Sequence, residues 1–68
     1  MIGREYTLQT MEIGPTALAR KLGVTRGAIY QWDHVPPGYC VMLAAEDRRL
    51  KLHRMNPEVY PLRIKELL

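Results

Sequence analysis

Apolar positions along this chain recur at helical spacing, and Pro and Gly cut the pattern into short segments. The breaks fall at Gly14-Pro15, Gly23, Pro36-Pro37-Gly38, Pro57 and Pro61. A first helix is expected from Thr7 to Ile13, with Leu8 and Met11 at helical spacing, Thr7 as N-cap and Gly14 as its end. A second runs from Pro15 to Leu22. Pro15 suits the first helical turn, where its missing N–H has no partner to lose. Leu18, Ala19 and Leu22 form its inward stripe, and Thr16, Arg20 and Lys21 point elsewhere. Gly23 closes it, as a residue able to take positive φ. Thr25 then reads as the N-cap of a third helix, accepting a bond from an orphan N–H near Ala28. That helix spans Arg26 to Asp33, with Ile29 and Trp32 on one face and Arg26, Gly27, Tyr30 and Gln31 on the other. A fourth spans Pro37 to about Arg48 on the spacing of Tyr39, Met42, Leu43 and Glu46, with Ala44 and Ala45 as strong helix formers. Further on, Asn56-Pro57 has the form of an N-cap and first helical residue. Pro61 to Leu68 reads as a candidate last short helix, with Ile64, Leu67 and Leu68 as its apolar side. The only strand-like alternation is Leu50-Lys51-Leu52, against which Ala44-Ala45, Asn56-Pro57 and Pro61 favour helices and turns. The expected class is all-α, a bundle of four to five short helices.

Length and composition narrow the function classes. Sixty-eight residues make one domain, 1–68. A chain of this size buries only about 60% of its unfolded surface, which leaves little room for an enclosed active site. Apolar residues at 47% and charged residues at 25% are ordinary for a globular domain and too apolar for disorder. The single cysteine, Cys40, forms no internal disulfide and sits among apolar residues as a small hydrophobe. Cys40, His34 and His53 are scattered without metal-ligand spacing, and the chain contains no serine. No catalytic residue, metal, cofactor or small-molecule substrate is therefore expected. No apolar run is long enough to span a membrane, and Met1 to Thr10 carries Arg4 and Glu5 and lacks a signal-type apolar segment, so the expected location is the cytoplasm. The net charge of +3 points to a polyanionic partner. Its distribution says more. From Ile13 through Trp32 there are three basic residues and no acid. A second cluster, Arg48, Arg49, Lys51 and Arg54, either reaches flanking phosphates or is solvated surface.

The stretch Pro15 to Trp32, PTALARKLGVTRGAIYQW, combines two short helices with a three-residue turn containing Gly. This is a helix-turn-helix pattern. Ala19 is small where the helices cross, Gly23 follows four residues later, and Val24 plugs the turn. Leu18, Leu22, Ile29 and Trp32 supply the shared core.

On Ala17-Leu18-Ala19, Leu22-Gly23-Val24 and Ala28-Ile29-Tyr30-Gln31-Trp32, the chain resembles bacteriophage Cro-type repressors of the all-helical branch and the related YdaS-type antitoxin-like proteins. Val35-Pro36, the helix from Tyr39 to Ala45, and Arg54 to Pro61 extend the resemblance over roughly residues 8–61. Gly27 stands where the family usually carries a side chain. The resemblance implies a lambda-repressor-like DNA-binding domain and a sequence-specific repressor acting on double-stranded DNA. The helix from Arg26 to Asp33 would enter the major groove with its N-terminal residues at base edges. Arg26 then pairs with guanine and Gln31 with adenine, Tyr30 meets a thymine methyl or a phosphate, and Gly27 permits close approach. Thr16, Arg20, Lys21, Thr25 and His34 are the phosphate candidates.

A module this small makes few phosphate contacts, so a homodimer on a pseudo-palindromic operator is expected, completed in solution or on DNA. Leu50, Leu52, Met55, Val59 and Tyr60, with a tail over 57–68, are the dimer candidates; the other reading places these residues in the monomer's own core. The competing function is an antitoxin-like interaction module that uses its helix-turn-helix mainly for partner binding or autoregulation.

Overall fold

In the computed structural model, which describes residues 2–61, the regular structure is helical throughout. It comprises α1 (Gly3–Met11), α2 (Pro15–Leu22), α3 (Arg26–Gln31), α4 (Pro37–Glu46) and α5 (Leu52–Met55), with no strand among the described residues. The all-α expectation holds. Leu50-Lys51-Leu52 is not a strand: Leu50 enters the core, Lys51 is extended, and Leu52 opens the single turn of α5. The expected helix from Pro61 to Leu68 lies almost wholly outside the described residues.

The first helix begins earlier than its periodicity implies. Thr7 is not its N-cap. It is fully buried within α1, and its hydroxyl donates to the Gly3 carbonyl at 2.8 Å. Local capping is absent at the true start, where Ile2 is extended and makes no side-chain cap bond. Another element supplies the partner instead, since the Arg4 N–H donates to the Asp33 carbonyl at 3.2 Å. The start also depends on Gly3. A Cβ at this position would fall 1.9 Å from the Met55 carbonyl oxygen. Only glycine lets α1 approach the end of α5 this closely. The helix ends at Met11, not at Gly14. Glu12 takes the left-handed conformation with φ 58°, its N–H bonds the Gln9 carbonyl, and the Ile13 N–H bonds the Leu8 carbonyl. This is a Schellman ending with glutamate in the position glycine usually holds. Gly14 instead precedes α2 as its extended N-cap.

The second and third helices follow their local signals closely. Pro15 occupies the first turn of α2, and Gly23 closes it at φ 71°. The Val24 N–H bonds the Ala19 carbonyl at 3.0 Å, which turns Val24 inward against the core. The Thr25 hydroxyl accepts from the Ala28 N–H at 3.2 Å and caps α3. α3 stops at Gln31, two residues before the expected Asp33, because Trp32 turns extended. Its indole is half-buried and lies 5.6 Å from the Tyr39 ring.

α2 packs on α3, while α1 and α4 both pack on α5. The core between them is Tyr6, Leu18, Ala19, Ile29, Val35, Cys40, Leu43, Leu50 and Met55. Leu50 and Met55 are thus interior residues of the monomer and are withdrawn from the dimer candidates. α4 ends at Glu46, where Asp47 turns extended. Its inward side chains are Cys40 and Leu43, and Met42 faces outward.

Two polar residues, Tyr6 and Asn56, tie distant segments together. The Tyr6 hydroxyl accepts from the Lys51 N–H at 2.8 Å and donates to the Arg49 carbonyl at 3.2 Å, and the Arg54 guanidinium lies over the Tyr6 ring. Buried Asn56 donates from Nδ2 to the Val35 carbonyl at 2.9 Å and accepts from the Val59 N–H at 3.2 Å. It therefore caps a turn at residues 57–59, where the sequence suggested a helix. The Cys40 thiol also donates to the Val35 carbonyl. Burial pushes that thiol up to about 11.

Candidate nucleic-acid interface

The outward face of α3 is built by exclusion. Ile29 is fully buried and Ala28 half-buried, so the remaining side chains of this six-residue helix must face out. Arg26, Gly27, Tyr30 and Gln31 are all exposed, Tyr30 at 56%. Positions 26 and 30, and positions 27 and 31, are each one helical turn apart, which aligns the four as a strip. This is the strip the sequence pattern singled out.

Gly27 is informative for what it lacks. A Cβ there would meet nothing closer than the Thr25 hydroxyl oxygen at 3.9 Å. The monomer has room for a side chain at this point, so packing does not require the glycine. The contrast with Gly3, which the fold does require, is sharp.

Thr16, Arg20, Lys21 and Thr25 are exposed near the same pair of helices. Among the described residues no carboxylate lies within ion-pair distance of Arg20 or Arg26. Lys21 differs, because its Nζ is 2.9 Å from a Glu46 carboxylate oxygen on α4. Both groups are well exposed, so that pair contributes at most about 1 kcal/mol and yields readily to another anion. His34 turns its ring toward the 57–59 turn. Its Nε2 faces Glu58 at 3.9 Å, and its Nδ1 is buried without a hydrogen-bond partner.

The second basic cluster divides. Arg49 is held by a chelating Asp47, with Nη2 to Oδ2 at 2.8 Å and Nε to Oδ1 at 3.0 Å, and by Glu12 at 3.3 Å. The side-chain hydrogen bonds from Arg49 hold the Asp47 carboxyl below the usual carboxylate range, and Asp47 in turn raises the guanidinium. Arg54 is engaged with Tyr6, and Arg48 and Lys51 are the cations of that cluster with no carboxylate at ion-pair distance among the described residues.

Sequence reasoning missed Arg4. Its guanidinium donates to the Tyr30 carbonyl at the end of α3. A signal existed, since α3 has neither glycine nor a basic residue in its last turn to meet its end carbonyls. Nothing local identified which donor.

Among the described residues no group of three His, Cys, Asp or Glu could hold a metal ion, and no helix is long and apolar enough to cross a membrane. Comparison with protein-family models, curated proteins and solved structures gives no match.

Proposed function

We propose that this chain is a sequence-specific DNA-binding transcriptional regulator of the helix-turn-helix type, a Cro-like prophage repressor that inserts α3 into the major groove of a pseudo-palindromic operator. The observation that carries the reading is the α3 strip. Arg26, Gly27, Tyr30 and Gln31 face solvent together, on a helix held from behind by α2 across a left-handed Gly23. A planar guanidinium and a primary amide on such a strip match the donor and acceptor patterns of guanine and adenine in the major groove. The open space at Gly27 supports close approach of the helix backbone to the base edges. Thr16 at the start of α2, Arg20, Lys21 and Thr25 in the turn that follows are exposed and are the phosphate-binding candidates.

A second copy of the chain would supply the other half-site. With Leu50 and Met55 interior, Val59 remains from the expected dimer set as an exposed apolar side chain, and α4 adds Val41 and Met42. Leu52 and Tyr60 are half-buried against the core.

Selection of bound sequences from a random duplex library, followed by affinity measurements across a salt series, tests the proposal. Affinity should fall steeply as salt rises, through counterion release. Arg26→Ala and Gln31→Ala should each relax preference at one base position, losing about 1–3 kcal/mol there, while Lys21→Ala weakens binding to all sequences alike. Absence of sequence-selective duplex binding at low salt would overturn the reading. Equal losses on selected and random duplexes for all three variants would remove base readout from Arg26 and Gln31.

A further inference from the structure

Six residues are fewer than two helical turns, too few for α3 to hold its shape by intrinsic propensity. Its N-terminus has the Thr25 cap. Its C-terminus has neither a glycine ending nor a basic residue of its own, and Trp32 is already extended. α1 supplies one partner to the helix itself and a second bond to the chain just past it. The Arg4 main-chain N–H donates to the Asp33 carbonyl, and the Arg4 guanidinium donates to the Tyr30 carbonyl. A cation at this end also suits the negative pole of the helix. Arg4 is itself well anchored, because the neighbouring Gly3 is pressed against the Met55 carbonyl, which accepts the Val35 N–H.

We propose that Arg4 is a positioning residue for the base-reading strip, clamping the C-terminal end of α3 so that Tyr30 and Gln31 are presented in one orientation. The specificity part of this inference rests on the DNA-binding reading above; the clamping part does not. Side chains that read bases are effective only when neighbouring groups hold them within a fraction of an ångström. Arg4 touches the backbone of the strip and contributes through it.

Two variants of the full chain test the inference. Arg4→Met keeps the apolar stem and removes the donor and charge, and Arg4→Lys restores a charged donor. In the free protein, amide hydrogen exchange at Tyr30, Gln31 and Trp32 should be about tenfold faster in Arg4→Met, with the amides of α2 and α4 unchanged, and should recover in Arg4→Lys. On DNA, the ratio of affinities for a selected and a scrambled duplex should fall about tenfold in Arg4→Met and recover in Arg4→Lys. Arg48→Met, which removes an equal charge from an exposed site, serves as the charge control. Its affinity for the scrambled duplex should drop as much as that of Arg4→Met, with the ratio retained. Exchange that stays at the wild-type rate, or rises equally in every helix, overturns the clamp. An unchanged affinity ratio in Arg4→Met overturns the link to specificity. A wild-type protein without sequence preference defeats the DNA reading by itself, and the exchange comparison still decides whether Arg4 holds α3.

Discussion

Replacing Gly3 by alanine tests the tightest contact in the molecule. The added Cβ would sit 1.9 Å from the Met55 carbonyl oxygen, 2.8 Å from its carbon and 3.2 Å from the His34 Cα. A carbon and a carbonyl oxygen settle at about 3.3 Å or more, so α1 and α5 must separate by roughly 1.4 Å. Both contacting groups are backbone, which cannot swing aside as a flexible side chain would. The shift strains two hydrogen bonds, Arg4 N–H to Asp33 and Val35 N–H to Met55. Overpacking contributes about 1–3 kcal/mol of destabilisation, and a weakened buried hydrogen bond about 1–3 kcal/mol more. The better helix propensity of alanine offsets at most about 1 kcal/mol, and less than that at the first helical position. The net expectation is a loss of about 3 kcal/mol. A domain of this length is stable by about 3–10 kcal/mol, so Gly3→Ala should retain about 7 kcal/mol at most and be unfolded at the low end of that range. Urea unfolding followed by far-UV circular dichroism and by Trp32 fluorescence reads the effect. With a denaturant slope of about 1 kcal/mol per molar for so small a chain, the midpoint should fall by about 3 M. A midpoint within about 0.5 M of the wild type, or above it, refutes the steric argument.

Gly27→Ala should behave in the opposite way: with nothing closer than 3.9 Å, it raises stability by up to about 1 kcal/mol in the same urea assay while weakening binding to the selected duplex, and a loss of stability would show that the site is not open. Tyr6→Phe keeps the ring but leaves the Lys51 N–H and Arg49 carbonyl without their partner, for a loss of about 1–3 kcal/mol; an unchanged urea midpoint would mean that solvent replaces the hydroxyl. Cys40 should alkylate slowly at pH 8, at a rate that tracks the unfolded fraction as urea is added, and fast labelling of the native protein would contradict its burial. Since folding raises this thiol from 9.0 to about 11, the folded state disfavours the thiolate; stability should be full below pH 9 and decline between pH 9 and 11, a decline that Cys40→Ala should remove.

Much of the candidate interface is legible in the amino-acid sequence. Pro15, Gly23 and Thr25 act on groups close to themselves in the chain, through ring geometry, positive φ and one hydroxyl-to-amide bond. Such features depend on near neighbours in sequence, so residue type and spacing are enough to place α2, the turn, the start of α3 and its outward strip.

The ends of α1 and α3 are not legible for the converse reason. The early start of α1 relies on a carbonyl of Asp33 and on the absence of a side chain at Gly3 where it meets Met55, and the end of α3 accepts a bond from a guanidinium 26 positions away. The Tyr6 hydroxyl satisfies backbone groups 43 and 45 positions away. Leu50 and Met55 have the same apolar character whether they line a dimer or a core, and only the approach of α1 and α4 to α5 makes them interior. From its sequence alone this protein is an all-helical domain with a basic, outward-facing strip on a short capped helix. Tertiary structure decided which residues hold that helix in place and which apolar residues stay exposed, because hydrogen bonds and close contacts between remote segments leave no periodic trace in the chain.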